Sequence, residues 1–258
     1  MERKTTAPKH KVNTPSSSGI QQIAESNLEK LSKNPYPGRG LVLGRAETGE
    51  RVQVYWIMGR SPNSQNRVLS AKGSKVFTEA ADPAKIIDPS LIIYNAMDEW
   101  NGHFVVSNGD QTDTVILRSS LGLSLNNALF DCVYEPDAPN FTPRITGICH
   151  LRSHHSFEIS VLRKSIWNQE CDRCLYRYQD IIPGFGRCVT TYLGDGNPLP
   201  SFHGEPILMP LEGDIRMIRD RFWNALNPEF RVSLVVKFIH EHAPSLVNIA
   251  NRFPKLEA

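Results

Sequence analysis

Leu41-Val42-Leu43-Gly44-Arg45-Ala46-Glu47-Thr48-Gly49-Glu50-Arg51-Val52-Gln53-Val54-Tyr55-Trp56-Ile57-Met58 reads as two short apolar runs, 41–43 and 52–58, around a polar segment with a glycine. The second run is rich in β-branched and aromatic residues, and Glu47-Thr48-Gly49-Glu50 has hairpin-turn composition. Strands joined so tightly pair antiparallel, since a parallel crossover needs a dozen residues or more. Working outward, 91–97 and 103–107 are further apolar runs separated by turn residues at 99–102. No strand–helix–strand alternation occurs, which excludes a doubly wound parallel sheet.

Between 113 and 134 the spacing changes. Val115, Ile116, Leu121, Leu123, Leu125, Ala128, Leu129 and Val133 recur at helical intervals, broken at Gly122 and Ser124. This predicts two helices with Ser124 as the second N-cap. Strands are expected again at 145–151, 157–162, 175–179 and 187–192. A helix over 213–226, a strand over 231–239 and a short terminal helix complete the order. The pattern predicts an α+β fold, a four-layer αββα sandwich of two antiparallel sheets with helices outside. Residues 1–18, rich in Lys, Thr, Ser and Pro, are expected to be a disordered or loosely ordered arm. Residues 19–34 form a short amphipathic helix on Ile20, Ile23, Leu28 and Leu31, and 35–258 form a single domain.

The bulk composition narrows the function classes. Lysine and arginine number 29 against 27 acidic residues, a net charge of +2. So even a balance does not point to nucleic acid as partner. No apolar stretch approaches the ~20 residues that span a bilayer, and the N-terminus lacks a secretory apolar core. A cytoplasmic protein with no membrane partner is expected. Five cysteines, an odd number, fit reduced thiols. Cys171-Asp-Arg-Cys174 has metal-ligand spacing, but no second such pair completes a zinc site. We expect no metal and no cofactor.

Four polar segments close apolar runs: 59–67, 94–95, 107–114 and 135–144. The first joins Arg60 and Arg67 to Ser61, Asn63, Ser64 and Asn66, and arginine forks suit phosphate oxygens. A solvated basic loop is the plain alternative. The third, Ser107-Asn108-Gly109-Asp110-Gln111-Thr112-Asp113-Thr114, opens a helix, where Thr112 or Asp113 is a natural cap. The fourth brings Glu135, Asn140, Thr142 and Arg144 together, or is merely a proline-stiffened connector. The loop 192–198 reads as a lid or a turn. No Gly-x-Ser-x-Gly, His-Glu-x-x-His, Walker loop or Gly-x-Gly-x-x-Gly is present.

Taken in order, Gly38-Arg39-Gly40-Leu41-Val42-Leu43-Gly44, Gly59-Arg60-Ser61 with Asn66-Arg67, Tyr94-Asn95, Val105-Val106-Ser107-Asn108-Gly109 with Thr112-Asp113-Thr114, Tyr134-Glu135, and Asn140 with Thr142-Pro143-Arg144 resemble the archaeal-type IMP cyclohydrolase family. The resemblance covers about residues 36–192 and fades beyond. It implies an N-terminal nucleophile hydrolase-like fold without a processed nucleophile. It also implies the closure of 5-formamidoimidazole-4-carboxamide ribotide to IMP plus water in purine biosynthesis, with no metal and no organic cofactor. Under it, Arg60 and Arg67 hold the 5′-phosphate, with Asn66 orienting them. Tyr94 and Asn108 donate to the formyl oxygen, and Glu135 moves protons. Arg39 and Arg144 contact phosphate or carboxamide, and Ser61, Asn95, Asp113, Thr114, Asn140 and Thr142 complete the substrate contacts.

The chain departs from the archaeal pattern in a longer segment at 62–65, the N-terminal extension, and a larger C-terminal region with His203, His240 and His242. Three alternatives therefore stay open: a cyclase recruited to another formylated azole nucleotide, an amidohydrolase of the same fold, or a nucleotide binder without turnover. Whether the protein is a homo-oligomer is also open.

Overall fold

The computed structural model describes residues 17–86, 88–89 and 92–256. In chain order these form α1 (Ser17–Lys33), β1 (Gly40–Arg45), β2 (Arg51–Met58), α2 (Pro62–Gln65), β3 (Val68–Lys72), β4 (Lys75–Glu79), β5 (Asn95–Trp100), β6 (His103–Ser107), α3 (Gln111–Ser120) and α4 (Leu125–Ala128). There follow β7 (Arg144–His150), β8 (Phe157–Lys164), β9 (Cys171–Tyr178), β10 (Phe185–Thr190), β11 (Ile207–Pro210), α5 (Ile215–Ala225), β12 (Arg231–Ile239) and β13 (Leu246–Asn251).

Period-two alternation explains the layering. In β1 and β2, Leu41, Leu43, Tyr55 and Ile57 face a core between the sheets, while Val42, Val54 and Trp56 face a second core outside. Both faces are buried, so the strands read as continuous apolar runs. The six-stranded sheet has the order β11-β10-β1-β2-β12-β13, and its outer core is completed by Leu28 and Leu31 of α1 and Ile218 and Phe222 of α5. The seven-stranded sheet is the meander β3-β4-β5-β6-β7-β8-β9, covered by α3 and α4 through Val115, Leu125, Ala128 and Leu129. All pairings described are antiparallel. The result is the αββα sandwich, with α1 belonging to its outer layer.

Several expectations are corrected. The terminal helix is instead β13, because Val247 and Ile249 pair with Lys237 and Val235 at the edge of β12. The hairpin β3–β4, turning at Gly73 with φ +62°, and the short β11 are additional strands. The 91–97 strand starts later, at Asn95, and its turn is Asn101-Gly102, both at positive φ. Leu91 lies outside the described residues, as do residues 1–16 of the expected arm; Ser17 and Ser18 already belong to α1. Ser124 caps α4 as expected, but α4 is a single turn. The expected caps of α3 are not used: Asp110 occupies the N-cap position without a side-chain bond. Cys171 and Cys174 on β9 are free thiols on opposite faces, one against the α3–α4 core and the other against the inter-sheet core. They do not meet. His154 and His155 occupy the bend between β7 and β8.

Candidate active site

Antiparallel pairing brings the starts of β1, β3, β5 and β7 to the same end of the sandwich as the finishes of β2, β6 and β10. That end collects the polar segments. Arg39 immediately precedes β1, held by its N–H donating to Thr191 Oγ1 at 3.1 Å and by Thr191 N donating to its carbonyl at 2.8 Å. Gly38 makes this approach possible: its φ is +71°, and a Cβ there would lie 2.2 Å from Thr191 Oγ1.

Arg39 Nη2 contacts both oxygens of Glu135, at 2.6 and 2.7 Å. Asn108 Nδ2 donates to Glu135 Oε1 at 3.2 Å and to Pro143 O at 3.0 Å. Asn108 Oδ1 accepts from Gln111 Nε2 at 3.0 Å and from Ile145 N at 2.8 Å. Arg144 donates to Gln111 Oε1 at 2.6 Å and pairs with Asp110. Asn108 thus has its amide fully committed, and it braces Glu135. Burial raises the Glu135 carboxyl pKa above the ordinary value, and the Arg39 charge pulling the other way does not cancel the effect.

Arg67 is 2% exposed. Its Nε donates to Ser64 O at 2.8 Å, and among the described residues no carboxylate pairs with it. Burial lowers its pKa; the Tyr94 hydroxyl pulls the other way, and the nearby Arg39 charge adds to the lowering. Arg60 lies toward the surface, its guanidinium 4.9 Å from the Tyr36 ring centre and 2.5 Å from Asp195 of the 192–198 loop. Tyr36 in turn stacks on Tyr192 at 6.0 Å. From the two sheets, Tyr55 and Tyr94 bring their hydroxyls to 2.6 Å of each other. Tyr94 is set by its N–H donating to Thr78 Oγ1 at 2.8 Å.

The other candidates divide. Thr142 Oγ1 is 2.5 Å from Tyr192 OH and bonds Asp137, while Asn140 Oδ1 accepts from Leu199 N at 3.1 Å. Both therefore join the Glu135 segment to the β10 end. Asn95 and Asp113 bond each other at 2.7 Å, not Arg39, Arg67 or Glu135. Thr114 has no side-chain hydrogen bond among the described residues. Ser61 caps α2. Asn66 exchanges both amide groups with the Asp82 backbone, at 2.9 and 2.7 Å, and so orients that turn rather than an arginine. Tyr36, Tyr55, Asp137 and Tyr192 were not among the sequence candidates. Among the described residues, no group of three or more His, Cys, Asp or Glu side chains is placed to hold a metal ion.

With this geometry in view, comparison with known proteins is decisive. The model of the IMP cyclohydrolase-like protein family matches residues 36–243. The chain belongs to the IMP cyclohydrolase-like family. The match runs well past residue 192, where the sequence resemblance fades, and takes in α5 and β12. An IMP cyclohydrolase of Methanothrix thermoacetophila is 36% identical over 123 residues, 46% of this chain and 59% of that protein. That of Methanopyrus kandleri is 31% identical over 117 residues, 44% and 58% of the two chains, and one of Methanococcus maripaludis is 30% identical over 118 residues, 44% and 57%. The chain thus spans under two-thirds of the length of the curated relatives it matches. Of this IMP cyclohydrolase-like chain, the Arg39–Glu135 pair, Arg67 and the Tyr55–Tyr94 pair all fall within the family match.

Proposed function

We propose that the protein closes 5-formamidoimidazole-4-carboxamide ribotide to IMP, releasing water. The observation that carries this reading is Arg67: a buried guanidinium whose fork meets no carboxylate among the described residues is prepared for an anionic ligand. The 5′-phosphate is that anion, with Arg60 assisting once it leaves Asp195. Beside it, Glu135 takes a proton from the carboxamide nitrogen as that nitrogen attacks the formyl carbon. The Tyr55–Tyr94 pair has one hydroxyl proton not consumed by their mutual bond. It is suited to donate to the oxygen of the tetrahedral carbinolamine, a contribution of about 3 kcal/mol for one well-placed donor. Glu135 passes that proton to the oxygen, giving the carbinolamine hydroxyl. It then takes the formamido N–H proton and delivers it to the hydroxyl, which departs as water as the ring C=N bond forms, so protons balance over the cycle. Arg39 keeps Glu135 in place, and Asn108, with its amide committed, is a positioning group rather than the donor expected from sequence. We read the arrangement as N-terminal nucleophile hydrolase-like without a nucleophile at the start of β1. A small nucleotide is the partner and the cytoplasm its place of work.

A spectrophotometric assay of the purified protein with the formylated ribotide, in EDTA and without added cofactor, tests this. IMP formation is the expected result. Tight IMP binding with no turnover would instead favour a cyclase for another formylated azole nucleotide.

A further inference from the structure

Asp137, Thr142 and Tyr192 form a chain whose direction is fixed by chemistry. Asp137 accepts twice from Thr142: from its N–H at 2.6 Å and from its hydroxyl. A carboxylate only accepts, so the single Thr142 hydroxyl proton points at Asp137. Thr142 Oγ1 is then left with lone pairs alone, and the Tyr192 hydroxyl, 2.5 Å away, must donate to it. Tyr192 has thereby spent its only proton on the protein. Whatever meets its oxygen from the site meets an acceptor.

That oxygen lies within electrostatic reach of Arg39 and Glu135, the groups to which ring closure is assigned above. Glu135 N donates to Thr142 O at 2.8 Å, so the chain and the Glu135 carboxylate share one short loop. The Tyr192 ring stacks on Tyr36, which carries Arg60 on its own ring. Tyr192 itself is 2% exposed, and its hydroxyl has no second partner among the described residues.

We propose that Tyr192 reads the substrate amide as a hydrogen-bond donor, and that Asp137, acting through Thr142, sets this polarity. The inference rests on the ring-closure reading. The carboxamide nitrogen that gives one proton to Glu135 keeps another N–H, which becomes N1–H of IMP; an acceptor beside Glu135 selects it. A nucleotide with a bare ring nitrogen at the same place, such as AMP, meets lone pair against lone pair and is rejected. Asp137 and Thr142 are positioning residues; Tyr192 makes the contact.

Asp137→Asn separates this from mere bracing of the loop. Its amide N–H would donate to Thr142 Oγ1, turning the Thr142 proton toward Tyr192 and the Tyr192 proton into the site. IMP and AMP dissociation constants should be measured for the full chain and for D137N, T142S, T142V and Y192F, with melting temperatures alongside. Wild type and T142S should prefer IMP over AMP. Y192F and T142V should lose about ten-fold in IMP affinity, the worth of one hydrogen bond. In D137N the IMP-to-AMP preference should shrink or invert. An unchanged ratio in D137N would overturn the proposal even if both affinities fell, since a structural defect lowers the two alike. So would wild-type IMP affinity in Y192F. If wild type neither turns over the ribotide nor binds IMP, the function reading fails and takes this inference with it. Turnover by wild type with an unmoved ratio condemns the inference alone.

Discussion

At the end of the sandwich away from the candidate site, Lys237 is fully buried and its ammonium donates to Ser74 O at 2.9 Å and lies 3.3 Å from Glu99. Nearby, Glu158 is shared between Arg177 at 3.0 Å and His150 at 3.3 Å, and His150 meets His103 at 2.7 Å. At the other end Arg67 is as deeply buried, yet among the described residues its side chain hydrogen-bonds only a backbone carbonyl. Both ends bury cations in a low-dielectric interior, where a charge costs several kcal/mol unless compensated. One end supplies the compensation from the protein and so serves the fold. At the other end Arg39 has Glu135, but Arg67 has no such partner among the described residues, and on the reading proposed above the ligand supplies it.

The strongest attack on this contrast is Glu135→Gln. It should lower turnover by about 10²- to 10⁴-fold, the usual worth of a general base, with a much smaller change in IMP affinity. In wild type, kcat/KM should rise with pH through an acid limb lying above that of an exposed glutamate, because burial raises the Glu135 pKa. E135Q should flatten that limb. Equal losses of turnover and IMP affinity would remove Glu135 from its role.

Next in size is Arg67→Met. IMP affinity should fall about ten- to a hundred-fold, as a charged hydrogen bond warrants. The ligand-free protein should nonetheless melt higher, by about 2–4 °C for each kcal/mol of desolvation relieved. A lower melting temperature would mean that Arg67 is a structural cation after all. The mirror experiment, Lys237→Ala, should cost about 2–4 kcal/mol of unfolding free energy by leaving a cavity and an unpaired Ser74 carbonyl. IMP binding should stay at the wild-type value, as titration calorimetry would show.

The smallest effect concerns acid. Burial, helped by the neighbouring His150, lowers the His103 pKa. On acidification the unfolded chain therefore takes up this proton first. Stability is fully present above the ordinary histidine value of about 6.5 and is lost as pH falls through it toward the folded value. His103→Asn should reduce the drop in melting temperature between pH 7 and pH 5.5, without changing the acid limb that belongs to Glu135.

The layer order was legible in the chain because apolar runs and turn residues report local geometry. The strands at 68–72 and 75–79 were not, since Ser70, Lys72, Lys75 and Glu79 dilute the alternation and their pairing depends on a turn of only two residues. The last segment read as a helix because Leu246, Val247, Ile249 and Ala250 fall three and four apart instead of alternating strictly. In the site, Arg39, Glu135, Asn108 and Arg144 stand out as polar groups in turns. Tyr55 does not: within 52–58 it looks like core, and only the approach of Tyr94 from the other sheet brings its hydroxyl into the candidate site. Asn66 misled for the opposite reason, being a polar neighbour of Arg67 whose amide is occupied by Asp82.

The register of β1 has a consequence for how the protein is made. On one side β1 pairs with its neighbour β2, but on the other Gly40 pairs with Thr190 and Leu43 with Arg187. At ordinary elongation rates the ribosome needs roughly ten to thirty seconds to deliver β10 after β1. For that interval the apolar hairpin stands with two open edges, β12 being later still, and is free to pair with another nascent chain. Slower synthesis lengthens that exposure, and a chaperone that covers the hairpin shortens it.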